Sequence, residues 1–350
     1  MMDDKEAVSP IISMILLITI VLVVTAAILS WATPILQRSQ SEANYGAVLG
    51  YFTSLDSALE DVVNMGEGAS RTVDVSVGAG NIYISESMNE TWIVSYNFEG
   101  EQKVNFSGLD YPHDETVTIT PSANINVTIY FPEGDNIGAP HYPTQSGDDF
   151  TTDKPLTGIV YIRVNNTANT KKIAELWLFD ITPITYELQS AFGTYYIKSV
   201  NGGIITQATG QKYVTNEPLF KETGSSLLLY MIQTRATNLR SGGSGSYSFT
   251  LNMKNMDIRN NISVDVYNLT LQIYDQQDNE WIKAWYSYFT TGWENAKIND
   301  NKYNYTGFVD DGDSLLYKTD NTTINPELYG TKPITLKLMS CNMDVNMKSM

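Results

Sequence analysis

Lys5-Glu6-Ala7-Val8-Ser9-Pro10-Ile11-Ile12 opens a stretch whose apolar run continues to Leu36. No charged side chain occurs from Ala7 through Leu36, and between Ile11 and Trp31 the only polar residues are Ser13, Thr19, Thr25 and Ser30. At 1.5 Å per residue that span makes a helix of roughly 30 Å, about the thickness of a bilayer's hydrocarbon core. The charged head, the small residue and the Ser-Pro step all precede the run. That order decides whether the helix is discarded or kept. An ordinary secretory signal has a basic head, an apolar core of about 7–15 residues and a small-x-small site after it. Ser30-Trp31-Ala32 has the form of such a site. Against it, the run is too long, and the head carries Asp3, Asp4 and Glu6 against the single Lys5. A plain signal anchor, by contrast, is supported by length alone.

Lys5-Glu6-Ala7 followed by Val8-Ser9-Pro10-Ile11-Ile12 resembles the processing site and mature start of archaeal type IV pilins and archaellin-like proteins. The resemblance implies a class III signal peptide, residues 1–7, cut after Ala7 on the cytoplasmic side by a membrane aspartyl peptidase, the prepilin peptidase. The mature chain then begins at Val8 and keeps its apolar helix, residues 8–36. Ser9 is a good N-cap, and Pro10 fits the first helical position, where a missing N–H costs nothing. Ile11, Ile12, Leu16, Ile20, Val23, Ile28 and Trp31 are then the membrane and assembly residues. Bacterial type IV pilins carry glutamate at the fifth mature position; here that residue is Ile12, as in archaeal relatives that lack the acid. Lys5 and Arg38 balance each other across the run, so charge alone sets no orientation.

The 350-residue chain carries a net charge of −17, which disfavours non-specific nucleic-acid binding, so no nucleic-acid partner is expected. Its charged fraction of 17% is low, and Asn, Ser, Thr and Tyr supply the polarity instead. Such a composition suits an extracellular β domain. A lone Cys341 excludes an intramolecular disulfide and reads as a buried thiol in a strand. Eight Asn-x-Ser/Thr sequons, at Asn89, Asn105, Asn126, Asn165, Asn261, Asn268, Asn304 and Asn321, are glycosylation candidates. All lie beyond the apolar run, which supports a cytoplasmic N-terminus and an outside C-terminal part.

Past the run, Pro34 is expected to kink or interrupt the helix, since it cannot donate to Ser30. A second helical stretch, residues 37–66, carries Val48, Phe52, Leu55, Leu59 and Val62 at spacings of four and three. Ser54, Asp56, Ser57, Glu60 and Asp61 are read as its polar side, and Gly66 as its stop. From Arg71 the period changes to two. Val73, Val75 and Val77, a Gly78-Ala79-Gly80 turn, then Ile82 and Ile84 read as a hairpin over residues 71–86. Further strand-like runs occur at Thr91–Phe98, Thr116–Thr120, Asn124–Phe131, Ile159–Val164, Glu175–Ile181, Thr194–Val200, Leu227–Gln233, Tyr247–Met253, Ile262–Tyr274 and Ile334–Met343. Trp285–Trp293 reads as a later helix. Ala139–Lys154 and Arg240–Ser246 read as a long loop and a flexible turn, and a division into two β halves near residues 185–192 is one reading of the head.

Motifs for chemistry are sparse. His113 and His141 stand alone in Pro-containing loops, and metal-ligand, P-loop and nucleophile-elbow patterns are absent from the sequence. Carboxylate pairs for glycoside hydrolysis are available in any chain this acidic and single out no residue. Asp310-Asp311-Gly312-Asp313 is the best hard-cation candidate, with Asp310, Asp311 and Asp313 as oxygen donors, though a solvated turn explains it as well. No cofactor is implied. Trp92, Trp177 and Trp281 sit in or beside strands and read as core partners rather than an adhesive surface.

The expected architecture is α+β: a long N-terminal transmembrane and amphipathic helix followed by a mainly antiparallel β-sandwich or barrel head, residues 67–350. The resemblance implies a non-enzymatic, pilin-like cell-surface protein. A head this large favours a minor or tip subunit, or an adhesion-related surface protein, over the repeating shaft. Its partners would be the membrane, the prepilin peptidase and other pilin-like subunits. The alternatives are a permanently anchored extracellular binding protein that does not polymerise, and an anchored or secreted hydrolase.

Overall fold

The computed structural model describes residues 5–85, 89–98, 104–107, 117–130, 141–151, 160–208, 210–223, 226–236, 240–258, 264–275, 281, 284–285, 287–288, 305–310, 314–319 and 334–350. A single helix, α1 (Lys5–Met65), leads into a β head. The described strands are β1 (Ser70–Val77), β2 (Asn81–Ile84), β3 (Glu90–Asn97), β4 (Val104–Ser107), β5 (Thr118–Pro121), β6 (Ile125–Tyr130), β7 (His141–Thr144) and β8 (Phe150–Thr151). They continue with β9 (Val160–Asn166), β10 (Lys172–Ile181), β11 (Ile184–Ser190), β12 (Gly193–Val200), β13 (Gly203–Ala208), β14 (Gln211–Asn216), β15 (Phe220–Thr223) and β16 (Ser226–Ala236). The last are β17 (Arg240–Gly242), β18 (Gly245–Ile258), β19 (Val264–Asp275), β20 (Tyr305–Asp310), β21 (Ser314–Thr319) and β22 (Ile334–Ser349).

Three sheets form. The largest follows the path β1-β18-β22-β19-β3-β10-β9-β6-β7, with β15, β16, β20 and β21 as branches. A second runs β14-β13-β12-β11-β2-β17, and a small third runs β4-β5-β8. Each path has two ends, so the described head is a stack of open sheets and not a closed barrel. Pairing is antiparallel throughout the described ladders except β16–β22, which is parallel from Ser226↔Thr335 to Ala236↔Val345. Strands from before and after residues 185–192 share both larger sheets, and β11 itself pairs with β12 and β2.

β10 shows why the stack has layers on both faces. Between Ile173 and Phe179 its sequence is apolar except for Glu175, as expected for a strand covered on each side. Trp177, Phe179 and Ile181 join Trp92, Val94, Val200, Ile205 and Trp285 in the core between the two larger sheets. Leu176 and Leu178 face the other way and pack with Val104, Ile119 and Val127 beneath the small sheet. A third core holds α1 against β1, β2, β11, β12, β13, β18 and β22.

Four expectations need correction. Residues 71–86 are not a hairpin: β1 pairs with β18, whereas β2 pairs with β11 and β17 in the other sheet. The Gly78-Ala79-Gly80 bend carries the chain between sheets. A Cβ on Gly80 (φ +92°) would lie 2.6 Å from the Glu187 carbonyl oxygen, and one on Gly78 would lie 2.8 Å from Asn44 Oδ1 on α1. Pro34 does not interrupt α1, whose helical backbone continues through it. Thr33 Oγ1 donates to the Leu29 carbonyl at 2.7 Å, and long helical flanks hold the turn despite the lost donor. Ala139–Lys154 is not all loop, because β7 and β8 fall inside it; β7 ends the large sheet's path, where Pro143 is tolerated. The later helix is present at Trp281, Ala284, Trp285 and Ser287, so it starts before Trp285.

Candidate functional site

α1 divides by what covers it. From Ile12 to Leu36 every large apolar side chain is exposed, including Ile12, Leu16, Ile20, Val23 and Ile28, and Trp31 is 72% exposed. This is one helix long and apolar enough to cross a membrane. An all-round apolar helix of this kind is stable only where lipid or other apolar surface surrounds it. Residues 37–44 are polar apart from Ala43, and Arg38 Nε reaches Glu42 Oε1 at 2.9 Å across one exposed turn. From Tyr45 to Val63 the helix is docked: Val48, Phe52 and Val62 are fully buried, with Leu55, Leu59 and Val63 nearly so. Gly66 (φ +86°) then stops it, donating its N–H to the Val62 carbonyl at 3.1 Å.

The processing residues Lys5, Glu6, Ala7, Val8, Ser9 and Pro10 lie on helical backbone at the start of α1, continuous with Ile11. In the uncut chain the helix therefore begins ahead of the Ala7–Val8 bond, and Ser9 is not its cap. Pro10 cannot donate to the Glu6 carbonyl, so that first turn is weak. A cut after Ala7 would leave Ser9 and Pro10 at the cap and first positions, where neither costs a hydrogen bond.

On the docked half, Asp56 departs from its expected solvent-facing role. It is half-buried beside β14, and Asn216 Nδ2 donates to its Oδ2 at 3.1 Å. Burial raises its carboxyl pKa to about 6, against the lowering effect of the Asn216 hydrogen bond, and the nearby Glu60 charge adds to the rise.

Two buried acids that the motif search passed over organise the head. Glu90 on β3 meets Lys198 on β12, with Nζ 2.8 Å from Oε1, joining the two larger sheets through their shared core. Its Oε2 accepts the indole N–H of Trp92 at 3.0 Å and of Trp285 at 3.1 Å. Lys198 Nζ also lies 5.1 Å from the Trp281 ring centroid, and Lys212 Nζ lies 4.1 Å from it. The second acid, Glu175 on β10, accepts from Tyr96 Oη at 2.8 Å and from the Tyr161 hydroxyl, and pairs with Lys172 at 2.9 Å. Burial, then the Glu175 charge, holds both phenols above their ordinary range. A signal for these acids was available: each sits in or beside a strand whose other residues are largely apolar.

The remaining candidates scatter. Asn126 on β6 and Asn165 on β9 are direct cross-strand partners, and the Asn126 amide donates to the Thr167 carbonyl at 2.8 Å. Asn89 precedes β3, and its side-chain oxygen is buried without a hydrogen-bond partner among the described residues. Asn105 and Asn268 lie on β4 and β19, while Asn261, Asn304 and Asn321 lie outside the described residues. Asp310 ends β20; Asp311 and Asp313 lie outside the described residues, among which no group of three or more metal-ligating side chains occurs. Trp92, Trp177 and Trp281 are core residues, and Cys341 is a free, buried thiol. No protein-family model, curated protein or solved structure matches the chain.

Proposed function

We propose that this chain is a pilin-like, membrane-inserted surface protein, cut after Ala7, whose retained helix serves as a membrane anchor and then as an assembly element. One observation supports this above the others. The uncharged half of α1 stands uncovered beyond a head that has docked the amphipathic half of the same helix. The helix is unbroken from the apolar run into the docked stretch, so the run is held to the head without a linker. In the membrane the apolar half sits in lipid; in a filament it packs against copies of itself, so its side chains stay buried in both states. The β head faces outward and carries adhesion as a minor or tip subunit, with no catalytic role.

N-terminal mass spectrometry of the native protein tests this reading. A start at Val8 is expected. A start at Met1 or Met2 would overturn processing in favour of a permanent anchor, and a start at Thr33 would indicate ordinary secretion. Electron microscopy of sheared surface filaments, immunolabelled for this chain, then tests assembly; label confined to the cell envelope would exclude it.

A further inference from the structure

The Glu175 cluster contains more than an ion pair. The rings of Trp177 and Tyr161 stack with centroids 3.9 Å apart and planes 19° apart. Tyr161 in turn stacks on Tyr130 at 5.3 Å and 22°. Trp177 and Tyr161 are buried, whereas Tyr130 is only partly buried. Three oxidisable rings thus lead from the core towards solvent. The Tyr161 hydroxyl donates to Glu175 Oε1, and Trp177 Nε1 donates to Tyr96 Oη at 3.3 Å, which itself donates to Glu175 Oε2.

Arg163 determines how such a chain would work. Its Cζ lies 5.2 Å from the Tyr161 centroid and 5.3 Å from that of Tyr130, and its Nε donates to Tyr161 Oη at 2.8 Å. A guanidinium over a ring opposes positive charge on that ring. Loss of an electron from Tyr161 is then favourable only if its phenolic proton leaves at the same time, and the hydrogen-bonded Glu175 carboxylate is placed to take it.

We infer that Trp177, Tyr161 and Tyr130, with Glu175 as proton acceptor, form a relay that carries oxidising equivalents out of the core to the surface. The oxidant is a one-electron species of the radical class formed in the surroundings. Because Trp177 is buried, the electron leaves its indole by tunnelling to the oxidant rather than by contact, leaving a radical cation. Tyr161 gives an electron to Trp177 and its proton to Glu175, yielding neutral tryptophan, a neutral tyrosyl radical and a carboxylic acid. Tyr130 then gives an electron to Tyr161, which takes its proton back from Glu175, while the Tyr130 proton passes to water. The radical ends on Tyr130, where a soluble thiol can reduce it by donating a hydrogen atom. The Trp177 indole is restored intact.

The test is residue-resolved oxidation of the full-length protein in detergent micelles. Sulfate radicals from photo-excited ruthenium tris-bipyridine and persulfate serve as the oxidant, and products are located by peptide mass spectrometry. In the parent protein, oxidation is expected at Tyr130, with Trp177 spared. Tyr161→Phe keeps the stacked ring but removes the transferable proton, so oxidation products should appear on Trp177 and fall at Tyr130 to the level set by direct attack on its exposed part. Tyr130→Phe should instead halt the radical at Tyr161, and this second variant keeps the test open if Tyr161→Phe misfolds. An unchanged product map in the folded Tyr161→Phe protein would overturn the relay, as would Trp177 oxidation in the parent equal to that in the variant.

Discussion

Replacing Asp56 by asparagine should stabilise the protein at neutral pH and leave it unchanged in acid. The Asp56 carboxyl is raised from 3.8 to about 6, with burial as the largest cause, where α1 meets β14. That gap is worth about 3 kcal/mol at 1.36 kcal/mol per pH unit. The folded state holds the proton more tightly than the unfolded state. Stability is therefore greatest below about pH 4, declines as pH rises towards 6, and is flat above that. Asparagine cannot ionise, and its side-chain oxygen still accepts the Asn216 hydrogen bond. The Asp56→Asn protein should thus exceed the parent by up to about 3 kcal/mol above pH 6, with the difference vanishing below about pH 4. Urea unfolding of both proteins in detergent micelles, followed by tryptophan fluorescence across this pH range, measures the difference directly. Other carboxylates titrate in both proteins and cancel. A difference independent of pH, or a variant weaker than the parent at neutral pH, would refute the assignment.

Phe52 is fully buried in the docked half of α1, so Phe52→Ala should cost about 3–5 kcal/mol in the same unfolding assay; a loss below 1 kcal/mol would mean that the docking face is not packed as described. Lys198→Met should cost about 3–5 kcal/mol by leaving Glu90 charged and without its cation, whereas Glu90→Gln combined with Lys198→Met should recover most of that loss. Strictly additive losses in that double-mutant cycle would show that the two side chains do not interact. Cys341 is fully buried and burial pushes its thiol up to about 12, so a disulfide reagent should leave it unlabelled in the native state and label it fully in urea; rapid native labelling would place it at the surface.

The division of the chain was legible where periodicity alone decides it. Val48, Phe52, Leu55, Leu59 and Val62 repeat at helical spacing, and all are buried against the head. Most alternating runs are strands for the same reason. Partner choice was not legible, because alternation names a strand's faces and not its neighbour. β1 and β2 are separated by one short bend yet pair with different strands, β18 and β11, far along the chain. Asn201-Gly202 was a readable hairpin signal, and both residues have positive φ between β12 and β13, yet the runs considered stopped at Val200. Glu90, Glu175 and Asp56 were hidden differently. In a chain with 39 acidic residues an acid reads as surface; the apolar strands around Glu90 and Glu175 hinted at burial, but partners such as Lys198 and Tyr96 for these two, and Asn216 for Asp56, lie far off in sequence.

The docked helix is part of the head's core rather than an attachment to it. Its stripe meets Val75 and Val77 of β1, Ile82 of β2, Ile197 of β12, Ile204 of β13, Phe249 of β18 and Met343 of β22 in one cluster. Without the helix, apolar faces of both larger sheets would be open to water, at about 25 cal/mol for each Å² uncovered. Head and helix must therefore fold as one unit. Because α1 is unbroken from Lys5 to Met65, the apolar half is positioned by that same core and not by a flexible linker. Any force applied to the apolar half passes along the helix into the Val48–Val62 contacts. Asp56 lies within that load path, and its ionisation above pH 6 weakens the very contacts that hold the helix to the head.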